Sequence, residues 1–207
     1  EQNHKLALKQ EACALKLKGN PVHEDMIDAL STVKKEIFTI STVLDKNHRI
    51  YAATAGDIYK SMEAAVSKAE EVFCAKIPQK ADIVVSVVKF PSDIDLYQAQ
   101  KGIDNAKYAL KEGGILLLVA KCRMGIGEES FVKLLSSASS PKDALERIEK
   151  KFVVGYHKAA KMAEVGLWAQ TWAVTDLDPK LLESIFIRPF SSLQTALDEA
   201  RKEKGQD

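Results

Sequence analysis

The sequence has no excess of one charge: its 207 residues include 30 Lys and Arg against 29 Asp and Glu. A net charge of +1 argues against a surface for nucleic acid or for an anionic membrane. Long apolar runs are also missing, since the run 115–120 is far shorter than the roughly 20 residues that span a bilayer. The first five residues are polar and contain no apolar signal region, so we expect a cytoplasmic protein.

Cysteine is scarce, and its three positions, Cys13, Cys74 and Cys122, are far apart. Their odd number and the lack of a Cys-x-x-Cys pair predict reduced, buried or half-buried structural thiols. His23-Glu24 has no second His at the spacing of a metalloprotease helix, and no Gly-x-Ser-x-Gly elbow supports a serine hydrolase. What remains is an ordinary globular composition, with 46% apolar and 29% charged residues.

Helical and strand patterns alternate along the chain. We predict a first helix over 5–18, with apolar positions at Leu6, Leu8, Ala12 and Leu15, and a second helix that starts at Asn20-Pro21. Further helices are predicted over 58–75, 94–110, 128–136, 141–151, 157–165, 179–185 and 191–204. We predict strands over 36–44, 49–55, 81–88, 115–121 and 167–174, the first two forming a hairpin. The strands 81–88 and 115–121 are nearly all apolar, which predicts burial on both faces. In the last strand, Trp168 and Trp172 would face the same side. The pattern predicts a layered α/β sandwich around a mainly parallel or mixed sheet, with one antiparallel hairpin.

The segment after the strand 81–88 carries the most informative polar residues. Ser92 is predicted to cap the next helix, with Asp95 completing a capping box. Gln98, Lys101 and Asn105 then share one helical face beside the apolar stripe. An amide and an ammonium in that position could hold a small carboxylate. The alternative is a solvated face along which the Lys101 stem lies.

Two further segments allow a ligand interpretation beside a simpler one. Gly125-Ile126-Gly127 follows a buried strand, as a phosphate loop does. It lacks the Lys-Ser/Thr of such loops, and Glu128-Glu129 would repel phosphate, so a glycine turn is favoured. His157-Lys158 begins a helix, where it either contacts an anion or simply starts a capped helix, and the second is favoured.

Several segments, in order, resemble the nickel-pincer lactate racemase family. They are Gly19-Asn20-Pro21-Val22-His23-Glu24-Asp25, Leu96-Tyr97-Gln98-Ala99-Gln100-Lys101 and Cys122-Arg123-Met124-Gly125-Ile126-Gly127, with support from Gly113-Gly114 and His157-Lys158-Ala159. The resemblance extends from about His4 to Leu197. It implies that residues 1–207 are the carboxyl-terminal domain of a longer protein, with 1–18 as a linker helix from its amino-terminal domain.

Members of this family interconvert the stereoisomers of 2-hydroxy acids with nickel pyridinium-3,5-bisthiocarboxylic acid mononucleotide. The resemblance implies that Gln98 and Lys101 contact the substrate, with Tyr97 beside them. It also implies that His4, in Asn3-His4, is a nickel ligand; the alternative is a frayed terminal residue. The lysine that carries the cofactor and the acid–base histidines belong to the amino-terminal domain, so no catalytic residue is expected in this chain.

This sequence departs from the family pattern at one informative place. Val88-Lys89-Phe90-Pro91 stands where the family commonly has Gly-Gly before an aromatic residue and Pro. Side chains there put substrate identity and activity in doubt. Three hypotheses follow: the substrate-binding part of a 2-hydroxy-acid racemase or epimerase, a non-catalytic module that binds small acids, or a dimerisation domain. The expected partners are a small 2-hydroxy acid and the amino-terminal domain, and a homo-oligomer is left open.

Overall fold

The computed structural model describes residues 2–14 and 16–205. Leu15 of the predicted first helix lies outside the described residues. The helices are α1 (Gln2–Leu6), α2 (Pro21–Ser31), α3 (Ile58–Phe73), α4 (Leu96–Ala99), α5 (Lys101–Ala106), α6 (Glu129–Ser137), α7 (Pro141–Lys150), α8 (Tyr156–Gly166), α9 (Pro179–Ser184) and α10 (Leu193–Lys204). The strands are β1 (Phe38–Leu44), β2 (Ile50–Asp57), β3 (Ala81–Val87), β4 (Leu110–Val119), β5 (Gln170–Val174) and β6 (Ile187–Pro189).

The chain forms two compact units. The smaller unit is Met26–Pro78, and the larger contains the residues up to Asp25 and those from Gln79 onward. In the smaller unit β1 and β2 form the predicted antiparallel hairpin, with Ile40 opposite Ala55. Helix α3 packs on one face of this hairpin, where Thr54 donates a 2.7 Å hydrogen bond to the carbonyl of buried Ser61.

The larger unit is built on a four-stranded parallel sheet in the order β3-β4-β5-β6. Side chains of β4 alternate between its two faces. Leu116 and Leu118 join the core formed with helices such as α6 and α8, whereas Ile115 and Leu117 pack with α10. This confirms the α/β class, the parallel sheet and the buried character of β4.

Three predicted elements differ from the structure. The first helix covers Gln2–Leu6, and turns follow it within the described residues up to Ala14. The prediction that β3 is buried on both faces is wrong, because β3 is an edge strand and Val87 is 56% exposed. The helix predicted over 94–110 is instead α4, α5 and a 3-10 turn over Lys107–Ala109.

The two tryptophans do not share a strand face. Trp168 precedes β5 and packs against the core on the α8 side, whereas Trp172 is buried on the α10 side, 4.8 Å from the Phe190 ring. The three cysteines are free thiols: Cys122 is buried and Cys13 half-buried, as predicted, but Cys74 is exposed. No helix among the described residues is both long and apolar enough to cross a membrane.

Candidate functional site

The site begins at the turn that starts α4. The Asp95 carboxylate accepts a 2.7 Å hydrogen bond from the Gln98 backbone N–H and is therefore the N-cap. The prediction of Ser92 as the cap is wrong, because Ser92 lies three residues too early, in a turn where its N–H donates to the Lys89 carbonyl. The actual cap, Asp95, lies two residues before Tyr97 and fixes the start of the helix that carries Tyr97 and Gln98.

The loop after β4 holds this helix start in place. Four backbone hydrogen bonds join the two segments: Cys122 N–H to Asp93 O, Met124 N–H to Ile94 O, Leu96 N–H to Gly125 O and Tyr97 N–H to Ile126 O, with lengths of 2.7–3.1 Å. We call residues 122–127 the supporting loop. Two of its carbonyls accept bonds from α4, and Gly125 and Gly127 have positive φ, so the favoured glycine turn is what the structure contains.

Gly127 is required by packing as well as by its backbone angle. Its φ is +76°, and a Cβ at this position would lie 2.8 Å from the Asp95 carboxyl carbon and 2.9 Å from Tyr97 Cβ. Gly102 is as close to its neighbours, since a Cβ there would lie 2.5 Å from Val88 Cγ2. These two glycines bring the supporting loop and β3 against the helices that carry Gln98 and Lys101.

Gln98 and Lys101 are brought together as their spacing predicts. Lys101 Nζ donates a 2.8 Å hydrogen bond to Gln98 Oε1. Lys101 is exposed and Gln98 is half-buried, while Ala99 and Ile103 beside them are fully buried. An amide partner does not neutralise the ammonium, so the pair retains a positive charge and can bind an anion. Asn105 is exposed at the far end of the same face.

A second cation lies at the start of α8. Lys158 Nζ is 5.5 Å from the centroid of the Tyr97 ring. Burial and the positive charge of Lys101 lower the pKa of Lys158 below its ordinary value. Lys158, Tyr97 and Lys101 therefore belong to one cationic surface, to which α4, α5 and the sequence-distant α8 each contribute a residue.

His4 and His157 are neighbours on the same unit. Their ring centroids are 5.0 Å apart, and the rings are tilted by 57°. Burial, followed by the charges of His4 and Lys158, lowers the pKa of His157 to about 4, so its imidazole is neutral at physiological pH. Asn3 anchors α1 by donating to Asp25 Oδ2 at 3.0 Å. His4 lies on α1, and its own side chain is exposed.

These contacts link His4, His157, Lys158, Tyr97, Gln98 and Lys101 in one chain of neighbours. We call these six residues the cationic face. Sequence reasoning favoured a simple helix start at His157-Lys158, because nothing local indicates that α8 meets Tyr97. Within the described part of the chain, no cluster of three or more His, Cys, Asp or Glu is arranged to hold a metal ion.

A cleft of about 460 Å³ lies at the carboxyl edge of the sheet. It is lined by residues that follow β3, β4 and β5, among them Val88, Lys89 and Phe90. The side chains that depart from the family pattern therefore form part of its wall. Gln98 and Lys101 are not among the lining residues.

Comparison with known proteins gives consistent results. A family profile described as the lactate racemase C-terminal domain matches residues 76–207. The chain is 30% identical over 197 residues to a lactate racemase of Lactiplantibacillus plantarum, a match that covers 92% of this chain and 46% of that protein. It is 29% identical over 132 residues to a lactate racemase of Thermoanaerobacterium thermosaccharolyticum, covering 64% of this chain and 31% of the relative. This chain therefore spans less than half the length of these relatives.

Solved structures agree with the fold. The lactate racemase apoprotein of T. thermosaccharolyticum superposes with a TM-score of 0.91 at 26% identity, covering 99% of this chain and 50% of that one. A protein of Thermotoga maritima superposes with a TM-score of 0.61 at 14% identity over 83% of this chain and 47% of that chain, a likeness that concerns the fold alone.

Proposed function

Because this chain belongs to the lactate racemase family through the C-terminal domain that its residues 76–207 match, we propose that it is the substrate-binding half of a 2-hydroxy-acid racemase or epimerase. The observation that carries this proposal is the Lys101–Gln98 pair beside Lys158 on the cationic face. An unneutralised ammonium and an amide suit a carboxylate, the group that every 2-hydroxy acid carries.

The roles of the residues follow from their chemistry. Lys101 binds the substrate carboxylate by a charge-assisted hydrogen bond, and Gln98 orients both the ammonium and the acid. Lys158 raises the positive potential from the far side of Tyr97. Fixing the carboxylate restricts the position of the neighbouring carbon, which is the atom at which the configuration changes. The groups that move protons are expected on the amino-terminal half, so this chain alone is expected to be inactive.

The residues of this chain fit a limited share of a nickel-pincer nucleotide. His4 offers one imidazole, a ligand that suits nickel, on the cationic face. With no larger cluster of ligands among the described residues, the chain suits a metal held mainly by its own organic ligand and by the other half of the protein. When bound, that group supplies hydride exchange at the substrate carbon.

The partner of this chain is the amino-terminal half of the protein, and the hairpin supports this. The family profile begins at residue 76, close to the end of the smaller unit at Pro78. The hairpin face away from α3 is apolar and exposed, with Phe38 at 74% and Ile40 at 69% exposure. An exposed apolar face on a two-stranded sheet is typical of a surface that packs against another domain. We call this face, formed by Phe38, Ile40, Leu44 and Ile50, the apolar ribbon.

The proposed function is tested by changing Lys101 to Ala in the full-length protein loaded with its cofactor. We expect kcat/KM for the 2-hydroxy acid to fall by about 10²–10³, since one such anchor is worth about 3–4 kcal/mol in a closed site. Lys133→Ala is the control, because Lys133 lies on α6 and pairs only with exposed Glu129. Unchanged turnover in the Lys101 variant would contradict the assignment. Binding of the acid by a loaded protein that does not turn it over would favour the non-catalytic module instead.

A further inference from the structure

Asp93 is a buried acidic residue of the larger unit. It is 6% exposed and lines the cleft at the carboxyl edge of the sheet. Its Oδ1 is buried and has no hydrogen-bond partner among the described residues. Its Oδ2 lies 3.7 Å from a guanidinium nitrogen of Arg123, too far for a direct hydrogen bond. A buried carboxylate with unused acceptor capacity is costly, so this residue is suited to meet a donor.

The opposite charge is supplied at the rim of the same cleft. Lys89 and Lys121 line it, are exposed, and form no ion pair with any residue that the structure describes. Arg123 lies at 5.8 Å over the Phe90 ring. Asp176 is the one other carboxylate among the lining residues, and it is exposed. The rim therefore carries a net positive charge, whereas the buried wall carries the Asp93 carboxylate.

The space between these groups is bounded by aliphatic side chains. Val87, Val119 and Val174 line the cleft where their strands end. In open parallel sheets ligands bind at this edge. A volume of about 460 Å³ accommodates a small organic molecule rather than a bare ion.

We propose that this cleft binds a small hydroxylated organic dianion. Its anionic groups pair with Lys89 and Lys121, and its hydroxyl donates a hydrogen bond to the Asp93 carboxylate. Rotation about the Cβ–Cγ bond of Asp93 is soft, so either oxygen can take the hydroxyl. The carboxylate repels anionic groups, and this fixes the orientation of the ligand. The proposal does not depend on the cationic face, because the two sets of residues do not overlap.

The test uses two acids that differ by one hydroxyl, (S)-malate and succinate, titrated by calorimetry into the 207-residue chain. We expect malate to bind at least tenfold more tightly than succinate, because only malate can donate to Asp93. Asp93→Ala is expected to reduce this ratio below about twofold. Lys89→Gln is expected to weaken both acids by a similar factor and leave the ratio unchanged. Lys150→Gln, which removes an exposed lysine outside the cleft lining, is the charge-matched control.

If Asp93→Ala fails to fold, the affinities of the unmodified chain for malate and succinate still test the proposal. Equal affinities for malate and succinate, or no binding of either at millimolar concentration, would overturn the proposal. Loss of malate binding in Lys101→Ala would also overturn it, since the acid would then occupy the cationic face. Failure here leaves the racemase assignment intact, because that assignment is tested by turnover.

Discussion

At the scale of one residue, Cys122 is the buried member of the supporting loop and packs into the core of the larger unit. Its side chain is 2% exposed, and its backbone N–H donates to the Asp93 carbonyl. Burial, reinforced by the negative charges of Asp95, Asp93 and Asp176, raises the pKa of the Cys122 thiol from 9.0 to about 12. The thiol is therefore protonated at every pH at which the protein is normally handled.

This environment predicts that Cys122 resists alkylation. Treatment of the native chain with iodoacetamide at pH 8 should modify exposed Cys74 at least tenfold faster than Cys122, because only the thiolate reacts and only Cys74 is accessible. Peptide mass spectrometry against time measures both rates. In urea the two rates should converge, which serves as the control. Equal rates in the native protein would show that the supporting loop opens.

The burial of the Cys122 thiol also determines the direction in which the stability of the fold changes with pH. A folded pKa of about 12 against 9.0 for the unfolded thiol means that the unfolded chain releases its proton first as the pH rises. The stability that this thiol contributes is complete below pH 9 and is lost towards pH 12. Unfolding midpoints in urea should fall over that interval, and less so in Cys122→Ser, which has no thiol to titrate.

Residue types and spacing predicted part of the site. The i, i+3 spacing of Gln98 and Lys101 needs only one helical turn, and the structure contains their hydrogen bond. The proximity of Lys158 to Tyr97 depends on how α8 packs beside α4 and α5, some 60 positions earlier, and no local pattern encodes that. For the same reason, the sequence could not predict that Asp93 Oδ1 is buried without a hydrogen-bond partner among the described residues.

At the scale of elements, the capping of α4 can be tested by a matched pair of substitutions. Asp95→Ala should lower the free energy of unfolding by about 1 kcal/mol, because it leaves the Gln98 N–H without its acceptor. Ser92→Ala should change it by less than about 0.5 kcal/mol, because Ser92 lies in the preceding turn and caps nothing. Chemical denaturation of both variants measures the difference. A larger loss of unfolding free energy in Ser92→Ala than in Asp95→Ala would instead support Ser92 as the N-cap, as the sequence predicts.

The misassigned elements have identifiable causes. The helix predicted over 94–110 is interrupted at Gln100, a buried polar residue between α4 and α5 that periodicity alone treats as one more helical position. Strand β6 was missed because its three residues, Ile187–Pro189, include Pro and Arg. Strand β3 is as apolar as a central strand, but its edge position depends on the strand order, which the composition of one strand does not contain.

At the scale of the whole molecule, the smaller unit has more apolar surface than its own contacts bury. The hydroxyls of Ser41, Thr54 and Ser61 meet between the hairpin and α3, whereas Phe38 and Ile40 point the other way. An exposed apolar patch of this kind is typical of a surface that packs against another domain.

Because of the apolar ribbon, we expect one substitution to change stability differently in the 207-residue chain and in the full-length protein. Ile40→Asp should change the stability of the 207-residue chain by less than about 0.5 kcal/mol, because that side chain is exposed there. In the full-length protein it should cost about 2–4 kcal/mol, because the amino-terminal half would bury the new carboxylate. Urea unfolding of both proteins makes the comparison. An equally small effect in the full-length protein would mean that the ribbon is not covered by that half.

The supporting loop has a consequence for any attempt to transplant this site. The position of Gln98 and Lys101 depends on backbone hydrogen bonds between residues about 30 positions apart, and on Gly127, which admits no side chain. Grafting α4 and α5 alone onto a related scaffold would transfer the proposed acid-binding groups without the loop that positions them. Residues 93–101 and 122–127 therefore have to move together, and exchange between homologues should succeed only when both pieces come from the same parent.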